Sequence, residues 1–154
     1  MRYFILLASL GLLATPVMAQ GAADSAAVHA AALDYVEGVY NVQPERIRRS
    51  VDTALVKYGY FHDRNGVEQG AAMNFAQLVR LAETWNRDGQ RANATSPRVV
   101  EVYDVLDRTA SVKVTAVWGT DYMLLAKRDG TWKIRLILWQ TPPRAVPASA
   151  PPRR

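Results

Sequence analysis

The chain has 154 residues, a formal net charge of +5 and no cysteine, so it has room for one domain that is stabilised by packing without disulfides. The positive charge does not indicate a nucleic-acid-binding protein. Arg2 lies in the N-terminal segment and three more arginines lie in the proline-rich tail 142–154, which leaves the body of the domain close to neutral.

The N-terminal segment has the features of a secretory signal. Its start is positively charged, residues 4–13 are apolar, and Val17 and Ala19 occupy the positions that a signal peptidase reads. We therefore expect residues 1–19 to be a signal peptide and the mature protein to be periplasmic or secreted. An uncleaved anchor is the alternative, but the apolar run is only about half of the ~20 residues that a span needs. After cleavage, no membrane span is predicted.

The first half of the mature chain is predicted to be mainly helical. Apolar residues recur at steps of three and four over Ala23–Tyr40 and Ala71–Asn86, which indicates two amphipathic helices. Pro44 fits the first turn of a short helix, Glu45–Val51, because a residue in the first turn needs no donor N–H. β-Branched and aromatic residues predict a short strand, Ala54–Phe61, before an Asn-Gly turn.

The second half has the periodicity of strands. Between Arg98 and Gln140 the period changes to about two, with breaks short enough for hairpins. Helices followed by an antiparallel meander predict an α+β fold with the sheet packed on the helices. We expect residues 20–141 to form this domain, and the Pro/Ala/Arg tail 142–154 to be disordered. The predicted strands are Val99–Leu106, Ala110–Trp118, Asp121–Lys127 and Trp132–Gln140.

Alternation assigns the two faces of this sheet. The side that carries Val112 and Val114 is strongly apolar, and we expect it to pack on the helices together with Tyr122, Leu124 and Leu136. The other side carries an apolar patch large enough to be a partner surface, through which we expect a homodimer rather than a monomer. That patch consists of Val117, Met123, Leu125, Ile137 and Trp139.

Four short motifs accompany this order of elements. They are Asp-Tyr-Val-Glu-Gly at 34–38 with Tyr40, Leu-Val-Lys at 55–57, Asp-Tyr at 121–122, and Lys-Arg-Asp-Gly-Thr-Trp-Lys-Ile at 127–134. With them the chain resembles the nuclear transport factor 2-like superfamily over nearly all of its mature length, and within it the family called putative lumazine-binding. The resemblance implies a cone-shaped, curved antiparallel sheet around three helices, a pocket at the wide end of the cone, and often a dimer formed sheet to sheet. It implies no single activity, because the superfamily includes isomerases, dehydratases, epoxide hydrolases, transport adaptors and binding modules.

Three residues are candidates for acid–base chemistry. Histidine is the side chain best suited to proton transfer near neutral pH, and His62 could move a proton with Tyr58 or Asp121 as its partner, the alternative being a half-exposed structural histidine at a strand end. Asp121 either is a buried carboxylate, as in cone-fold enzymes, or caps the turn Gly119–Tyr122. Neither a metal nor a cofactor is predicted, because the two histidines are far apart in sequence and cysteine is absent.

Aromatic side chains are the main candidates for ligand binding. They line apolar pockets and leave a hydroxyl or an indole N–H to orient a ligand, although core packing is the alternative for each. We expect an exported, non-catalytic domain that binds a small apolar or aromatic molecule. The alternatives are a cofactor-free isomerase, dehydratase or hydrolase built on His62, Asp121 and Tyr58, and an envelope protein-interaction module with a closed cone. A His–Asp or Asp–Tyr hydrogen bond in the pocket would favour the enzyme, and apolar walls with one or two polar groups would favour the binding domain. The predicted ligand-binding residues are Tyr35, Tyr58, His62, Trp85, Trp118 and Tyr122.

Overall fold

A computed structural model describes residues 16–142, in which three helices pack on one face of a six-stranded sheet. Most of the predicted signal peptide and nearly all of the predicted tail lie outside the described residues. The first helix begins before the predicted cleavage site, at Pro16. In chain order the elements are α1 (Pro16–Tyr40), α2 (Pro44–Ser50), β1 (Val51–His62), β2 (Glu68–Met73), α3 (Phe75–Thr84), β3 (Arg98–Val105), β4 (Thr109–Ala116), β5 (Gly119–Arg128) and β6 (Thr131–Gln140).

The sheet has the strand order β2-β1-β6-β5-β4-β3. Strands β3 to β6 form the predicted antiparallel meander, and the one parallel pair, β1 with β6, joins the N-terminal half to it. Register shifts interrupt three of the strand pairs, and such bulges bend a sheet. The sheet curves around the helices and does not close, which confirms the predicted α+β fold with a curved sheet.

The segment before α3 forms a strand that the sequence analysis did not predict. The third helix was expected to begin at Ala71, but that residue lies in β2, which pairs with β1. Asn74 caps the helix: its side chain accepts from the Gln77 N–H at 3.0 Å, and the Gln77 side chain accepts from the Asn74 N–H at 2.8 Å. Small residues suit β2 because a Cβ at Gly70 would lie 2.3 Å from the Tyr58 hydroxyl.

The predicted faces of β5 are reversed. Met123 pairs directly with Val112, and residues directly opposite each other share a face. Met123 and Leu125 are therefore buried, at 1% and 2% exposure, whereas Tyr122 and Leu124 point outward. Alternation alone did not reveal this because both sets of residues in β5 contain large apolar side chains.

A bulge shifts the alternation within β6. Ile134 faces the interior as predicted, but Leu124 pairs with Leu136 and Leu125 with Ile134, so that β6 has one extra residue. Beyond the bulge, Ile137 is buried and Leu136 is exposed. The predicted dimer patch is therefore wrong in its residues. Met123, Leu125 and Ile137 belong to the core, Trp139 packs against it, and only Val117 is exposed.

The core lies between the helices and the inner face of the sheet. Helix α1 contacts β3, β4 and β6, and α3 contacts β1. Val36 and Ile134 are fully buried, and each such aliphatic side chain contributes about 1.5–3 kcal/mol through its burial. Between residues 16 and 142, no helix combines the length and the apolar character that crossing a bilayer requires.

Candidate functional site

A cavity of about 180 Å³ lies between the helices and the inner face of the sheet. Partly exposed side chains from α3, β2, β6 and the β4–β5 turn surround its mouth, and buried side chains from α1 and β1 form its floor. Apolar cavities of roughly 150 Å³ hold a benzene molecule, so this volume suits a compact aromatic ligand. The lining residues are Tyr35, Val39, Lys57, Met73, Leu81, Trp85, Trp118 and Trp139.

The floor of the cavity contains a buried ion pair. Lys57 in β1 is 4% exposed, and its Nζ donates to Oδ1 of Asp121 in β5 at 3.2 Å. The Asp121 carboxylate is fully buried and accepts two further hydrogen bonds, from the Tyr35 hydroxyl at 3.2 Å and from the Trp118 Nε1–H at 2.6 Å. Its negative charge is thus stabilised by three donors of the protein itself.

The ammonium of Lys57 has bonding capacity left. It carries three N–H donors, of which two are used, one on Asp121 and one on the Tyr35 hydroxyl oxygen at 2.7 Å. The Nζ atom also lies 5.2 Å from the ring centroids of Tyr35 and Trp139, within the range of a cation–π contact. The third N–H is available to a molecule in the cavity.

Burial shifts the pKa of two residues on the floor, Lys57 and Tyr35. It lowers the pKa of Lys57 from 10.5, although the charge of Asp121 opposes that change. Burial, together with the same carboxylate, raises the pKa of Tyr35 well above its ordinary value. Tyr35 therefore stays a neutral hydroxyl that can accept from Lys57 and donate to Asp121.

Aromatic packing holds Trp118 in place at the cavity mouth. Its ring meets those of Tyr35, Tyr40 and Trp85 edge to face, with centroids 5.9, 5.2 and 5.4 Å apart. The Tyr40 hydroxyl accepts from the Val117 N–H at 2.7 Å and donates to the Pro97 carbonyl at 2.7 Å. These bonds fix the β4–β5 turn that carries Trp118, so that the donor to Asp121 is preorganised.

A glycine allows the third indole to close the cavity on the sheet side. Gly59 lies next to Trp139 across the parallel β1–β6 pair. A Cβ at Gly59 would lie 1.8 Å from the Trp139 Nε1, so no larger residue fits without moving the indole. Phe61 stacks on the same indole, with ring centroids 6.2 Å apart. Trp139 is thereby held flat against the sheet and beside Lys57.

The structure places three of the six predicted ligand-binding residues, Tyr35, Trp85 and Trp118, in the cavity wall. The other three lie elsewhere. Tyr58 and Tyr122 are 39% and 51% exposed on the outer face of the sheet, because their positions alternate with those of Lys57 and Asp121. The prediction that these two residues line the cavity is therefore wrong.

The three predicted catalytic residues, His62, Asp121 and Tyr58, do not lie together. His62 is half-buried in a crevice at the end of β1, beside Glu68 and Gln140. Asp121 lies on the inner face and Tyr58 on the outer, so the sheet itself separates them. The carboxylate of Asp121 is fully buried and bonds to Tyr35, Lys57 and Trp118, and none of these bonds caps the turn Gly119–Tyr122. In residues 16–142, no three acidic or histidine side chains are grouped to hold a metal ion.

Lys57 and Trp139 are the two most informative of the five lining residues that sequence reasoning missed, the others being Val39, Met73 and Leu81. In β1 the outward residues Val56, Tyr58 and Tyr60 are more apolar than the inward Lys57 and Gly59, so alternation favours the wrong face. The available signal was a single lysine in the middle of an apolar strand, in the motif Leu-Val-Lys at 55–57.

Comparison with known proteins identifies the family and the fold. The family model described as "Putative lumazine-binding" matches residues 23–140. None of the curated proteins matches the chain. Among solved structures, a nuclear transport factor 2-like protein of unknown function from Silicibacter pomeroyi is 14% identical, with 83% of this chain and 99% of that chain covered and a TM-score of 0.58.

Two further solved structures have the same fold. A nuclear transport factor 2-like protein of unknown function from Shewanella baltica is 18% identical, with 84% and 98% covered and a TM-score of 0.55. A protein of unknown function from Mycobacterium tuberculosis is 13% identical, with 84% and 78% covered and a TM-score of 0.56. At these identities the structures show the fold alone. The chain belongs to the putative lumazine-binding family and has the nuclear transport factor 2-like fold.

Proposed function

We propose that the chain is an exported domain that binds a compact, neutral aromatic molecule carrying one hydrogen-bond acceptor. The observation that carries this proposal is the cavity itself, in which aromatic walls surround a charged group with a spare donor, the ammonium of Lys57. Membership of a family described as lumazine-binding supports a small-molecule ligand.

Charge balance favours a neutral ligand. Lys57 and Asp121 neutralise each other, and both are almost completely buried. A carboxylate ligand bound to Lys57 would add an uncompensated negative charge to an apolar site, which is costly. A carbonyl or amide oxygen accepts the third N–H without that cost.

The same arrangement favours binding over acid–base catalysis. An Asp–Tyr hydrogen bond is present, between Asp121 and Tyr35, as expected for the enzyme alternative. However, Asp121 already accepts three hydrogen bonds, and neither His62 nor Tyr58 reaches the cavity. The three residues of the enzyme alternative therefore do not meet at the cavity.

Calorimetric titration with benzamide and benzoate tests this proposal, because the two ligands have nearly the same shape and differ in charge. We expect wild type to bind benzamide at least about tenfold more tightly than benzoate, a difference of about 1.4 kcal/mol. Leu81→Trp should weaken benzamide binding by narrowing the mouth. Leu106→Trp, the same change at a residue that is 58% exposed in a turn, should not. Tighter binding of benzoate, or equal binding by both variants, would contradict the proposal.

A homodimer through the outer face of the sheet is the second part of the proposal, now with corrected residues. Side chains from three adjacent strands form an exposed apolar face there, and a patch of this kind can pair with its own copy around a twofold axis. The patch consists of Val56, Tyr58, Tyr60, Tyr122, Leu124, Leu136 and Leu138.

Native mass spectrometry of the protein from its own host tests the assembly and displays any bound small molecule. We expect a dimer for wild type and for the control Leu106→Glu, and a monomer for Leu124→Glu, which places a charge within the patch of each copy. A wild-type monomer without an adduct would instead favour an envelope interaction module.

Export is the third part. The family match begins at residue 23, just after the predicted cleavage site, which agrees with removal of residues 1–19. N-terminal sequencing of the protein from a periplasmic or culture fraction should begin at Gln20. An intact Met1 in the cytoplasmic fraction would contradict export.

A further inference from the structure

We propose that Lys57 captures compact aldehydes and ketones covalently, as a reversible iminium formed in the cavity. This inference rests on the proposed binding function and names the ligand class more narrowly. It follows from three features that converge on one nitrogen: burial, a proton acceptor within reach, and aromatic walls that seat a ring beside it.

The first feature is the environment of the amine. A lysine nitrogen is a nucleophile only when it has lost a proton, and desolvation in an apolar pocket favours the neutral form. Burial at 4% exposure acts in this direction on Lys57. Lys113, by contrast, lies on the outer face and is paired with Glu101 at 2.8 Å.

The second feature is a path for the protons. The Asp121 Oδ1 atom, 3.2 Å from Nζ, can take one proton from the ammonium, and rotation about the Cε–Nζ bond then turns the lone pair towards the cavity. The amine attacks the carbonyl carbon, so a C–N bond forms and the carbonyl oxygen becomes a hydroxyl by taking a second proton from the nitrogen. The proton held by Asp121 then passes to that hydroxyl, the C–O bond breaks and water leaves. One ammonium and one carbonyl thus give one iminium and one water, and Asp121 ends as a carboxylate.

The third feature is the product. The iminium has the same single positive charge on the same nitrogen; its one N–H can stay on Asp121 while the bond to the Tyr35 hydroxyl is given up, and the charge–charge and cation–π interactions persist. These are the Asp121 carboxylate and the ring faces of Tyr35 and Trp139, each 5.2 Å from Nζ. The aromatic wall holds the ring of the bound carbonyl compound in place.

Reductive trapping tests the inference on the full chain. The sequence contains four lysines, at 57, 113, 127 and 133, so peptide mass spectrometry can follow each one. With benzaldehyde and cyanoborohydride, we expect Lys57 to be benzylated about tenfold faster than Lys113, because binding holds the carbonyl beside the amine. Benzamide should slow labelling at Lys57 by competition and leave Lys113 unchanged.

Variants distinguish the contribution of the cavity to the labelling rate from that of the amine. Leu81→Trp retains Lys57 but narrows the mouth, and should reduce its labelling to the rate of Lys113. Lys57→Arg should abolish the fast label, whereas Lys113→Arg should leave it intact. If benzamide binds but Lys57 is labelled no faster than Lys113, the inference is overturned and the binding proposal stands. If benzamide does not bind and no fast label forms, both fail.

Discussion

Neutralising Asp121 without changing its shape, in Asp121→Asn, leaves the buried ammonium of Lys57 without its counter-charge. Breaking a buried ion pair from one side costs about 3–5 kcal/mol. The amide adds a second penalty, because its NH₂ group must face either Trp118 or the donors of Lys57 and Tyr35, and at least one hydrogen bond is lost. We therefore expect the free energy of unfolding to fall by about 3–5 kcal/mol.

The reverse change and the double variant complete a thermodynamic cycle. Lys57→Met should cost about 3 kcal/mol, because the Asp121 carboxylate keeps its donors Tyr35 and Trp118 but loses its cation. The double variant buries no unpaired charge and should lie within about 2 kcal/mol of wild type. The sum of the two single losses less that of the double variant then gives a coupling free energy of at least about 4 kcal/mol between the two positions.

Urea unfolding followed by tryptophan fluorescence measures all four proteins of the cycle. A second cycle at Lys113 and Glu101, with Lys113→Met and Glu101→Gln, is the control. Its ion pair is shorter, at 2.8 Å, but only partly buried, and we expect a coupling several-fold smaller. If the losses in unfolding free energy caused by the two buried substitutions simply add in the double variant, the ion pair does not stabilise the floor of the cavity and the reasoning is refuted.

Three other predictions follow from single contacts. Burial lowers the pKa of Lys57 in the folded chain below its unfolded value of 10.5. At a pH between these two pKa values, the unfolded chain binds more protons than the folded chain. The stability of wild type relative to Lys57→Met should then rise in urea unfolding as the pH is raised towards 10.5, and a fall would contradict the assignment. The hydrogen bond from Lys127 is the main cause that lowers the pKa of Asp24 to about 2 from 3.8. Its stabilisation is lost as the pH falls towards that value, so thermal unfolding of Asp24→Asn should depend less on acid between about pH 4 and about pH 2 than that of wild type. Gly59→Ala must displace the Trp139 indole, and we expect a loss of about 1–3 kcal/mol with shifted tryptophan emission. Unchanged emission would show that the indole is not held there.

The elements with a clear local signal were predictable from the sequence. The three-and-four spacing located α1, and the turn residues separated the four strands of the meander. The family motifs then supplied the fold, because the order of elements and the motif at 127–134 occur together. The parallel pairing of β1 with β6 has no local signal, since it joins segments distant in sequence.

The candidate site was predictable only in part, for a physical reason. Tyr35, Trp85 and Trp118 were identified as large aromatics on or near helices and turns that face the core. The assignment of strand residues failed because the outer face is itself apolar, so hydrophobicity does not distinguish its two sides. A single bulge in β6 then moved Trp139 inward.

Lys57 could not be recognised from pattern alone. A lysine in a strand is normally directed to solvent, and only the tertiary fold brings Asp121 close enough to compensate its charge. The pairing joins β1 to β5, two strands that are separated in the sheet by β6.

The central claim is that a compact neutral aromatic molecule binds in the cavity beside Lys57. Isotope-filtered nuclear Overhauser measurements on labelled wild-type protein with unlabelled benzamide test it most directly. The account predicts contacts from the benzamide ring to the side chains of Leu81, Trp118 and Lys57. Contacts confined to Tyr58, Leu124 or other residues of the outer face, or none at all, would contradict it.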